Sequence, residues 1–387
     1  KQPEFCLGNY SHSENQQVSA ANITYNTLGT MRRNNRYYKT PSTNGGISGQ
    51  LTYNEPIADR TYLQFSYQYR YSYSKNDRMA YIYDSDAYRE LNQSIENNRY
   101  DIDAVLRFME QANYLLRDTL ELSQFSEYRN FNQTISAQFR RVRESYNFSI
   151  GLDAYPQHTV LNYRYMGREY PEVKRTVFNM SPRTNLRWNF DKHTNLRVRY
   201  QGRTSQPSMT NLLDITDDSN PLYISKGNPN LKPSFSHQVN FNFNSYKPEP
   251  QRGMWMWANF NTTLNSISNK TTYDSNTGVR TTMPMNINGN WNTGGGMGMN
   301  TGIGKKKLFN AGANFGVGFR HDVGFYNNVA SDAVDNLDIK SITGNLWTNG
   351  GVNASFRNEH FNAEISGDIN YGHIRNNVNP NGNQDTY

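Results

Sequence analysis

The sequence predicts an all-β protein, specifically a transmembrane antiparallel up-and-down β-barrel. In Tyr62–Ser74, Leu63 and a series of aromatic residues occupy one parity, and polar residues occupy the other. Because successive side chains of a strand point to opposite faces, this stretch has one apolar face and one polar face. Only 35% of the residues are hydrophobic, yet there are 28 Tyr and 19 Phe. A barrel with a polar lumen explains both observations, since it needs an apolar residue only at every second strand position.

About thirteen stretches repeat this alternation. Pro182 lacks the backbone N–H that a strand ladder needs, so we expect a bulge or an irregular edge there. Trp255 and Trp257 blur the parity of their strand, because they lie opposite its methionines. The predicted strands are Gln17–Tyr25, Ile47–Glu55, Tyr62–Ser74, Phe131–Arg140, Tyr146–Ala154, Phe178–Trp188, Leu196–Tyr200, Val239–Asn244, Met254–Asn265, Met283–Trp291, Phe309–Phe319, Ile342–Phe356 and Phe361–Tyr371.

Short and long connections alternate between these strands. The short ones lie near residues 57, 143, 192, 250, 305 and 358, and the long ones near 36, 100, 169, 219, 273 and 331. Outer-membrane barrels combine short periplasmic turns with long extracellular loops, so the asymmetry predicts which end faces outward. An odd strand count without a closing strand predicts an incomplete barrel, a fragment of one with about 22 strands.

Domain organisation follows from the same pattern. Residues 1–387 are predicted to form one outer-membrane barrel domain in which no plug domain is visible. Residues 75–124 are predicted to form a long extracellular loop. Within it, Asp101 or Asp103 precedes apolar residues at three-to-four spacing, which indicates a short helix packing on the barrel rim. These apolar residues are Val105, Phe108, Met109, Ala112, Leu115 and Leu116.

Several classes of function are excluded by what the sequence contains. No apolar run approaches the ~20 residues of a membrane helix. Cys6 is the only cysteine, and the seven histidines show no zinc spacing. The glycine run Gly294–Gly304 is flanked by strand-like sequence on both sides, so it indicates small strand residues rather than a nucleotide loop. No catalytic constellation is visible, and we predict a protein that is not an enzyme and that uses no cofactor or metal.

The net charge of +7 permits two interpretations. One is an anionic partner, namely lipopolysaccharide, an acidic nutrient or nucleic acid. The other is a set of lumenal arginines together with lysines at turns. The basic residues are scattered rather than clustered, which favours the second interpretation, and we expect no nucleic-acid partner.

The segment Asn220–Pro233 carries the most specific motif. Pro229 and Pro233 restrict their neighbours, whereas Gly227 and Asn228 permit left-handed turns before the next strand. The segment from Gly227 to Pro233 closely resembles the signature of the barrel domain of TonB-dependent receptors, especially the outer-membrane β-barrel family common in Bacteroidota. The signature residues are Gly227, Asn228, Pro229, Asn230, Leu231, Lys232 and Pro233.

Three further stretches are similar to that family, namely Leu51–Pro56, Ser266–Asp274 and Val279–Gly289. The resemblance extends from about Ile47 to Tyr371 and carries no catalytic residues. It implies a receptor in the bacterial outer membrane that imports a nutrient or chelate with energy from the TonB complex, transmitted through a plug.

The resemblance also implies surroundings and partners: outer-membrane lipid, lipopolysaccharide and a surface lipoprotein. Polar residues would line the lumen and hold the plug, or would pair with lumenal acids. The arginines expected there are Arg70, Arg140, Arg183, Arg187, Arg197 and Arg199. The alternative function is a non-transporting barrel that serves as scaffold or anchor of a surface or secretion complex. An upstream plug would favour import over the scaffold.

Overall fold

A computed structural model gives the fold of most of the chain. It describes residues 2–4, 8–25, 30–83, 103, 116–118, 123–165, 167–214, 216–220, 222–249, 251–274, 278–304, 306, 308–325, 340–379 and 382–386. Within these ranges, no helix is both long and apolar enough to cross a bilayer. The chain is assigned to two compact units. The first comprises Lys1–Leu51, Tyr67–Thr134 and Tyr155–Phe178, and the second comprises Thr52–Ser66, Ile135–Ala154 and Asn179–Tyr387.

Nearly all of the described residues lie in β-strands. One short helix, α1 (Met209–Leu212), precedes the eleventh strand. The strands are β1 (Gln2–Glu4), β2 (Asn9–Tyr25), β3 (Thr30–Ala58), β4 (Thr61–Tyr83), β5 (Leu116–Asp118), β6 (Gln124–Val142), β7 (Tyr146–Tyr165), β8 (Arg168–Glu169), β9 (Val173–Asn189), β10 (Thr194–Ser205), β11 (Thr216–Asn220), β12 (Tyr223–Lys226), β13 (Ser234–Lys247), β14 (Arg252–Leu264), β15 (Ser266–Tyr273), β16 (Arg280–Ile287), β17 (Asn290–Ile303), β18 (Phe309–Phe325), β19 (Lys340–Arg357), β20 (Asn362–Asn376) and β21 (Gln384–Thr386).

The predicted antiparallel up-and-down arrangement is confirmed. In the second unit an unbroken ladder runs β9–β10–β13–β14–β17–β18–β19–β20, and every pairing in it is antiparallel. A smaller sheet of β11, β12, β16 and β15 is inserted into the connections of this meander. Among the described strands, thirteen are at least twelve residues long, namely β2, β3, β4, β6, β7, β9, β10, β13, β14, β17, β18, β19 and β20.

In the first unit, β2 and β3 form a long hairpin that pairs Asn9 with Gly46 at one end and Tyr25 with Thr30 at the other. The buried hydrophobic side chains of this unit include Leu161 and Tyr165 of β7. The Tyr37 ring contacts the Tyr81 ring at 5.8 Å between centroids. Aromatic packing of this kind contributes beyond the area that it buries.

The six predicted short turns are confirmed, because two to five residues join β3–β4, β6–β7, β9–β10, β13–β14, β17–β18 and β19–β20. In the β9–β10 turn, the Asp191 carboxylate accepts the backbone N–H of His193 at 2.7 Å. This bond lowers the pKa of the Asp191 carboxyl. Long connections are confirmed between β10 and β13 and between β14 and β17, and both of them carry strands of the smaller sheet.

Four expectations about individual segments need correction or stay open. The long connection expected near residue 36, a polar loop over Gly29–Gly45, is not present, since β3 begins at Thr30 and continues through Ala58. The β7–β9 connection is only seven residues long, because both strands extend beyond their apolar segments. Met283–Trp291 is not one strand, because the chain turns at Gly289 (φ 120°) between β16 and β17. β4 continues through Tyr83, and the predicted helix lies almost entirely outside the described residues.

The expected irregularity at Pro182 is present on the side that faces β10. Register pairing of β9 with β10 covers Arg183–Asn189 and ends at Arg183, the residue that follows Pro182, although β10 continues to Ser205. Ser181 lies on the other side of the proline and donates its hydroxyl to the Gly202 carbonyl oxygen. A side-chain donor therefore satisfies a β10 carbonyl near the residue that has no N–H.

One face of the second unit's meander is apolar and exposed. Ile365 and Ile369 are each 74% exposed, and Phe315 and Val352 are 51% and 64% exposed. Register pairing aligns these residues with the apolar positions of neighbouring strands, such as Met297 opposite Phe315. A contiguous apolar surface of this kind indicates contact with lipid or with another protein.

Aromatic rings border this apolar face at both ends. At the short-turn end, the Phe309 and Phe356 rings lie 4.8 Å apart. At the other end, the Trp291 and Phe319 rings lie 5.4 Å apart. Ten residues separate Phe309 from Phe319, which at about 3.4 Å per residue and a tilt near 40° spans about 25 Å of depth. That depth equals the apolar band of an outer-membrane barrel, whose aromatic girdles lie at the two membrane interfaces.

Candidate functional site on the polar face

The polar side chains of β9, β10 and β13 lie on one face, opposite the apolar surface. Paired residues of neighbouring strands point to the same side of a sheet, so the register defines rows of side chains. One row contains Arg187, Arg197 and Asn242, and the next contains Asn185, Arg199 and Asn240. A third row contains Arg183, Gln201 and Gln238. The face therefore combines guanidinium groups with amides.

A concavity of about 540 Å³ lies on this face. It brings together three of the predicted arginines, Arg183, Arg197 and Arg199, and Arg187 is the direct cross-strand neighbour of Arg197. Its lining residues are Gln138, Ser149, Arg183, Thr184, Asn185, Arg197, Arg199, Tyr200, Asn240 and Asn242. The side chains are nearly all hydrogen-bonding groups, so the concavity is suited to a hydrated or polar occupant.

Arg183 differs from the three arginines beside it, Arg187, Arg197 and Arg199, because it has an acidic partner. Its guanidinium lies 3.2 Å from a carboxylate oxygen of Asp153, which is only 6% exposed. Gly151 leaves room for the guanidinium, because a Cβ there would lie 3.2 Å from the Arg183 Nε. Asp153 is not among the site residues predicted from the sequence, although its parity on its strand places it with the polar residues.

Arg187, Arg197 and Arg199 have no acidic partner among the described residues. Arg199 donates instead to the Gln201 side chain at 3.2 Å. Arg187 and Arg197 oppose each other directly, and like charges at such positions destabilise a sheet. Of these four arginines, only Arg183 therefore pairs with an acidic residue in the described part of the chain.

The two remaining predicted arginines lie elsewhere. Arg70 and Arg140 are exposed residues of β4 and β6, and neither lines the concavity. Arg140 lies two positions after Gln138 on the same strand, which places both side chains on the same face. Their role in lining a lumen stays a prediction.

The signature segment joins β12 to β13 and holds the smaller sheet in place. The Asn228 side chain donates to the Pro284 carbonyl oxygen at 2.9 Å. The Lys232 N–H donates to the Asn286 side chain at 2.7 Å, and that side chain donates back to the Lys232 carbonyl oxygen at 2.9 Å. Side-chain amides therefore bind the signature segment to β16, in addition to the ladder pairing of β16 with β12 and β15.

Gly227 and Leu231 complete this connection. A Cβ at Gly227 would lie 1.7 Å from the Leu213 carbonyl oxygen, so the position has no room for a side chain. Leu231 is 5% exposed and anchors the segment in the interior. The signature residues therefore have a structural role in the described geometry, and they form no catalytic arrangement.

The described ranges contain no group of three His, Cys, Asp or Glu residues that could hold a metal ion. Together, an exposed apolar band between aromatic girdles and a polar face with arginines define the wall of an outer-membrane β-barrel. The sequence profile of the "Outer membrane protein beta-barrel family" matches residues 109–387. The chain belongs to this family, and the bacterial outer membrane is its location.

Solved structures of outer-membrane receptors are similar at low identity. The siderophore receptor PiuA from Acinetobacter baumannii aligns over 96% of this chain and 55% of its own, with 10% identity and a TM-score of 0.44. The pyoverdine receptor FpvA from Pseudomonas aeruginosa PAO1 aligns over 95% and 52%, with 10% identity and a TM-score of 0.46.

The ferric citrate transporter FecA aligns over 95% of this chain and 51% of its own, with 10% identity and a TM-score of 0.41. The chain thus spans about half the length of the solved structures that it matches. No curated protein matches it.

Proposed function

We propose that the chain forms part of the wall of an outer-membrane receptor that imports a nutrient or chelate and is not an enzyme. The polar face of β9, β10 and β13 lines an aqueous lumen, and the apolar face contacts lipid and lipopolysaccharide acyl chains. The TonB complex supplies the energy for import through a plug, and a surface lipoprotein is a further partner.

The opposed pair Arg187 and Arg197 is the observation that carries this proposal. Two guanidinium groups that face each other, with no acidic partner among the described residues, are disfavoured beside lipid, where the cost of Arg in a barrel rises from about 0–1 kcal/mol near the interfaces to roughly 2–4 kcal/mol at the midplane. In a water-filled lumen both groups are hydrated, and the high dielectric reduces their repulsion. The pair is therefore more stable in a lumen than on the lipid-facing side.

The same pair also favours a passage over an inert scaffold. Like charges at opposed positions destabilise the sheet, and a scaffold gains nothing that would offset this cost. A lumen that admits polar or anionic solutes gains attraction from unpaired guanidinium groups, which are rigid donors for carboxylate and phosphate oxygens. The arginine cluster therefore supports passage or binding of such a solute.

Depletion of culture medium by the native bacterium tests import against the scaffold alternative. Wild-type cells, a deletion strain and a strain depleted of TonB are compared by mass spectrometry of the medium. Import predicts at least one solute that only the wild type removes. The scaffold predicts identical media and the loss of other proteins from the surface of the deletion strain.

Complementation with the Arg187→Gln, Arg197→Gln double variant then tests the site. We expect slower removal of that solute at an unchanged level of protein in the membrane. Removal at the wild-type rate would contradict the role given to the arginine pair, and the Arg320→Gln variant serves as control because Arg320 has its own acidic partner, Asp322, at 2.7 Å.

A further inference from the structure

A second feature of the polar face is a set of tryptophans that lie over glycines. Trp257 of β14 and Trp347 of β19 belong to strands separated by β17 and β18. On this face those two intervening strands present Gly294, Gly296, Gly316 and Gly318. The two indole rings lie over these four glycines, one from each side. Their centroids are 6.4 Å apart, and their planes are 19° from parallel.

The glycines are required by the rings. A Cβ at Gly318 would lie 2.3 Å from the Trp347 ring, and one at Gly296 would lie 2.7 Å from the Trp257 ring. A Cβ at Gly298 would lie 2.5 Å from the ring of Trp255. A third tryptophan therefore lies over the next glycine of β17 on this face. Glycine inside a strand weakens it and often marks a place where another group approaches closely.

Two of these three tryptophans are exposed. Trp255 is 37% exposed and Trp347 is 38% exposed. Trp188 and Trp291 differ from them in location, because these two lie on the apolar face, near its ends, with other aromatic rings. Bulky aromatic residues on a polar wall have no role in contacting lipid, so their exposed faces are available to a solute.

The groups around the tryptophans indicate the class of that solute. They are mainly amides, which both donate and accept hydrogen bonds. Asn259 lies beside Gly294, and the side-chain oxygen of Asn349 lies over Gly316. Asn314 and Asp368 lie over Gly351. Arg197 shares a row with Trp257 but is two strands away, about 10 Å at the usual strand spacing.

We propose that Trp255, Trp257 and Trp347 form a binding platform for a neutral saccharide chain. The C–H faces of a sugar ring pack on an indole, and its hydroxyl groups pair with amides and a single carboxylate. A row of three rings suits a linear chain of sugar units. The proposal rests on the proposed aqueous lumen, because the platform must be reached from water.

Calorimetric titration of the whole gene product, purified in detergent, tests the platform with maltohexaose, cellohexaose and laminarihexaose. We expect at least one hexaose to bind. Trp257→Ala and Trp347→Ala should each weaken that binding roughly tenfold, because each removes the apolar area that one sugar ring covers. Gly318→Ala keeps every tryptophan but displaces the Trp347 ring, so it should weaken binding to a similar extent.

Two matched variants serve as controls. Gly350→Ala adds the same methyl group in β19, where the nearest heavy atom would be 3.7 Å away. Trp188→Ala removes an indole from the apolar face. Both should bind within about twofold of the wild type, and heat-modified gel mobility checks that each variant is folded.

The results that overturn the proposal are specific. Binding of none of the three hexaoses overturns it, as does wild-type affinity in folded Trp257→Ala and Trp347→Ala. If Trp257→Ala, Trp347→Ala and Gly318→Ala bind sugar like the wild type and lose only thermal stability, the rings have a structural role alone and the proposal is wrong. If catechol binds at the platform and no hexaose does, the site takes aromatic rings instead of sugars.

A quenching experiment separates this inference from the proposed function. The Trp347 contribution to fluorescence is taken as the difference between the wild type and Trp347→Phe. If iodide quenches the Trp347 fluorescence and no sugar binds, the saccharide platform is refuted and the aqueous lumen is not. Quenching by brominated acyl chains in vesicles would place this face in lipid and refute both proposals.

Discussion

The side of the sheet that contacts lipid can be tested with two arginines at adjacent positions of β18. Phe315 lies on the apolar face and is 51% exposed. It is six residues from Phe309 and four from Phe319, the aromatic residues near the two interfaces. At about 3.4 Å per residue and a tilt near 40°, it lies within about 3 Å of the bilayer midplane. Phe315→Arg should therefore reduce the free energy of unfolding by roughly 2–4 kcal/mol.

Asn314→Arg is the matched control, because Asn314 has nearly the same depth and points to the polar face. Its cost should stay well below that of Phe315→Arg, since a lumenal guanidinium remains hydrated. Both values are measured by urea titration of the whole gene product folded into lipid vesicles. Equal destabilisation by the two variants would refute the assignment of the two faces.

Three further predictions concern topology, the signature segment and the buried acid. Cysteine in place of Thr272 should be labelled by an impermeant maleimide on intact cells, whereas cysteine in place of Lys306 should not; the reverse pattern would invert the topology. Gly227→Ala should destabilise the fold by about 1–3 kcal/mol in the same urea titration, because its methyl group would overlap a carbonyl oxygen. Arg183→Met should cost about 1–2 kcal/mol by removing the guanidinium partner of Asp153, less than for a fully buried pair because 41% of the Arg183 side chain is exposed; no measurable change in the urea midpoint would show that Asp153 does not depend on this partner.

The sequence predicts the membrane-facing part of the fold well, for a physical reason. A strand with lipid on one side and water on the other must alternate, so period-two hydrophobicity identifies stretches such as Phe309–Phe319 directly. Turns of two to five residues are equally visible, because they interrupt that period. The residues of Gly227–Pro233 likewise indicate family membership from the sequence alone.

The errors occurred where that signal is missing. The beginning of β3 has polar residues at both parities, so its strand character depends on pairing with β2 rather than on any apolar face. The break at Gly289 separates two sheets, and no sequence period marks a change of sheet. The blurred parity of Trp255 and Trp257 reflects rings that occupy the polar face, which only the register with the β17 glycines reveals.

The arginines illustrate the same limit for the candidate site. Their parity placed Arg183, Arg187, Arg197 and Arg199 on one face, and the register brings these four close together. Which of them has an acidic partner depends on Asp153, a residue of β7 more than thirty positions before Arg187. Such a contact depends on the tertiary arrangement and leaves no local trace in the sequence.

The account depends most directly on one face of β18 contacting lipid while the other contacts water. Spin labels placed singly at each position from 309 to 319, in the whole gene product in vesicles, test this by collision with oxygen, which concentrates in lipid, and with a water-soluble nickel chelate. We predict that oxygen accessibility peaks at the odd positions and nickel accessibility at the even ones, with a period of two. Two accessibilities that rise and fall together, or nickel access at the odd positions, would contradict the account.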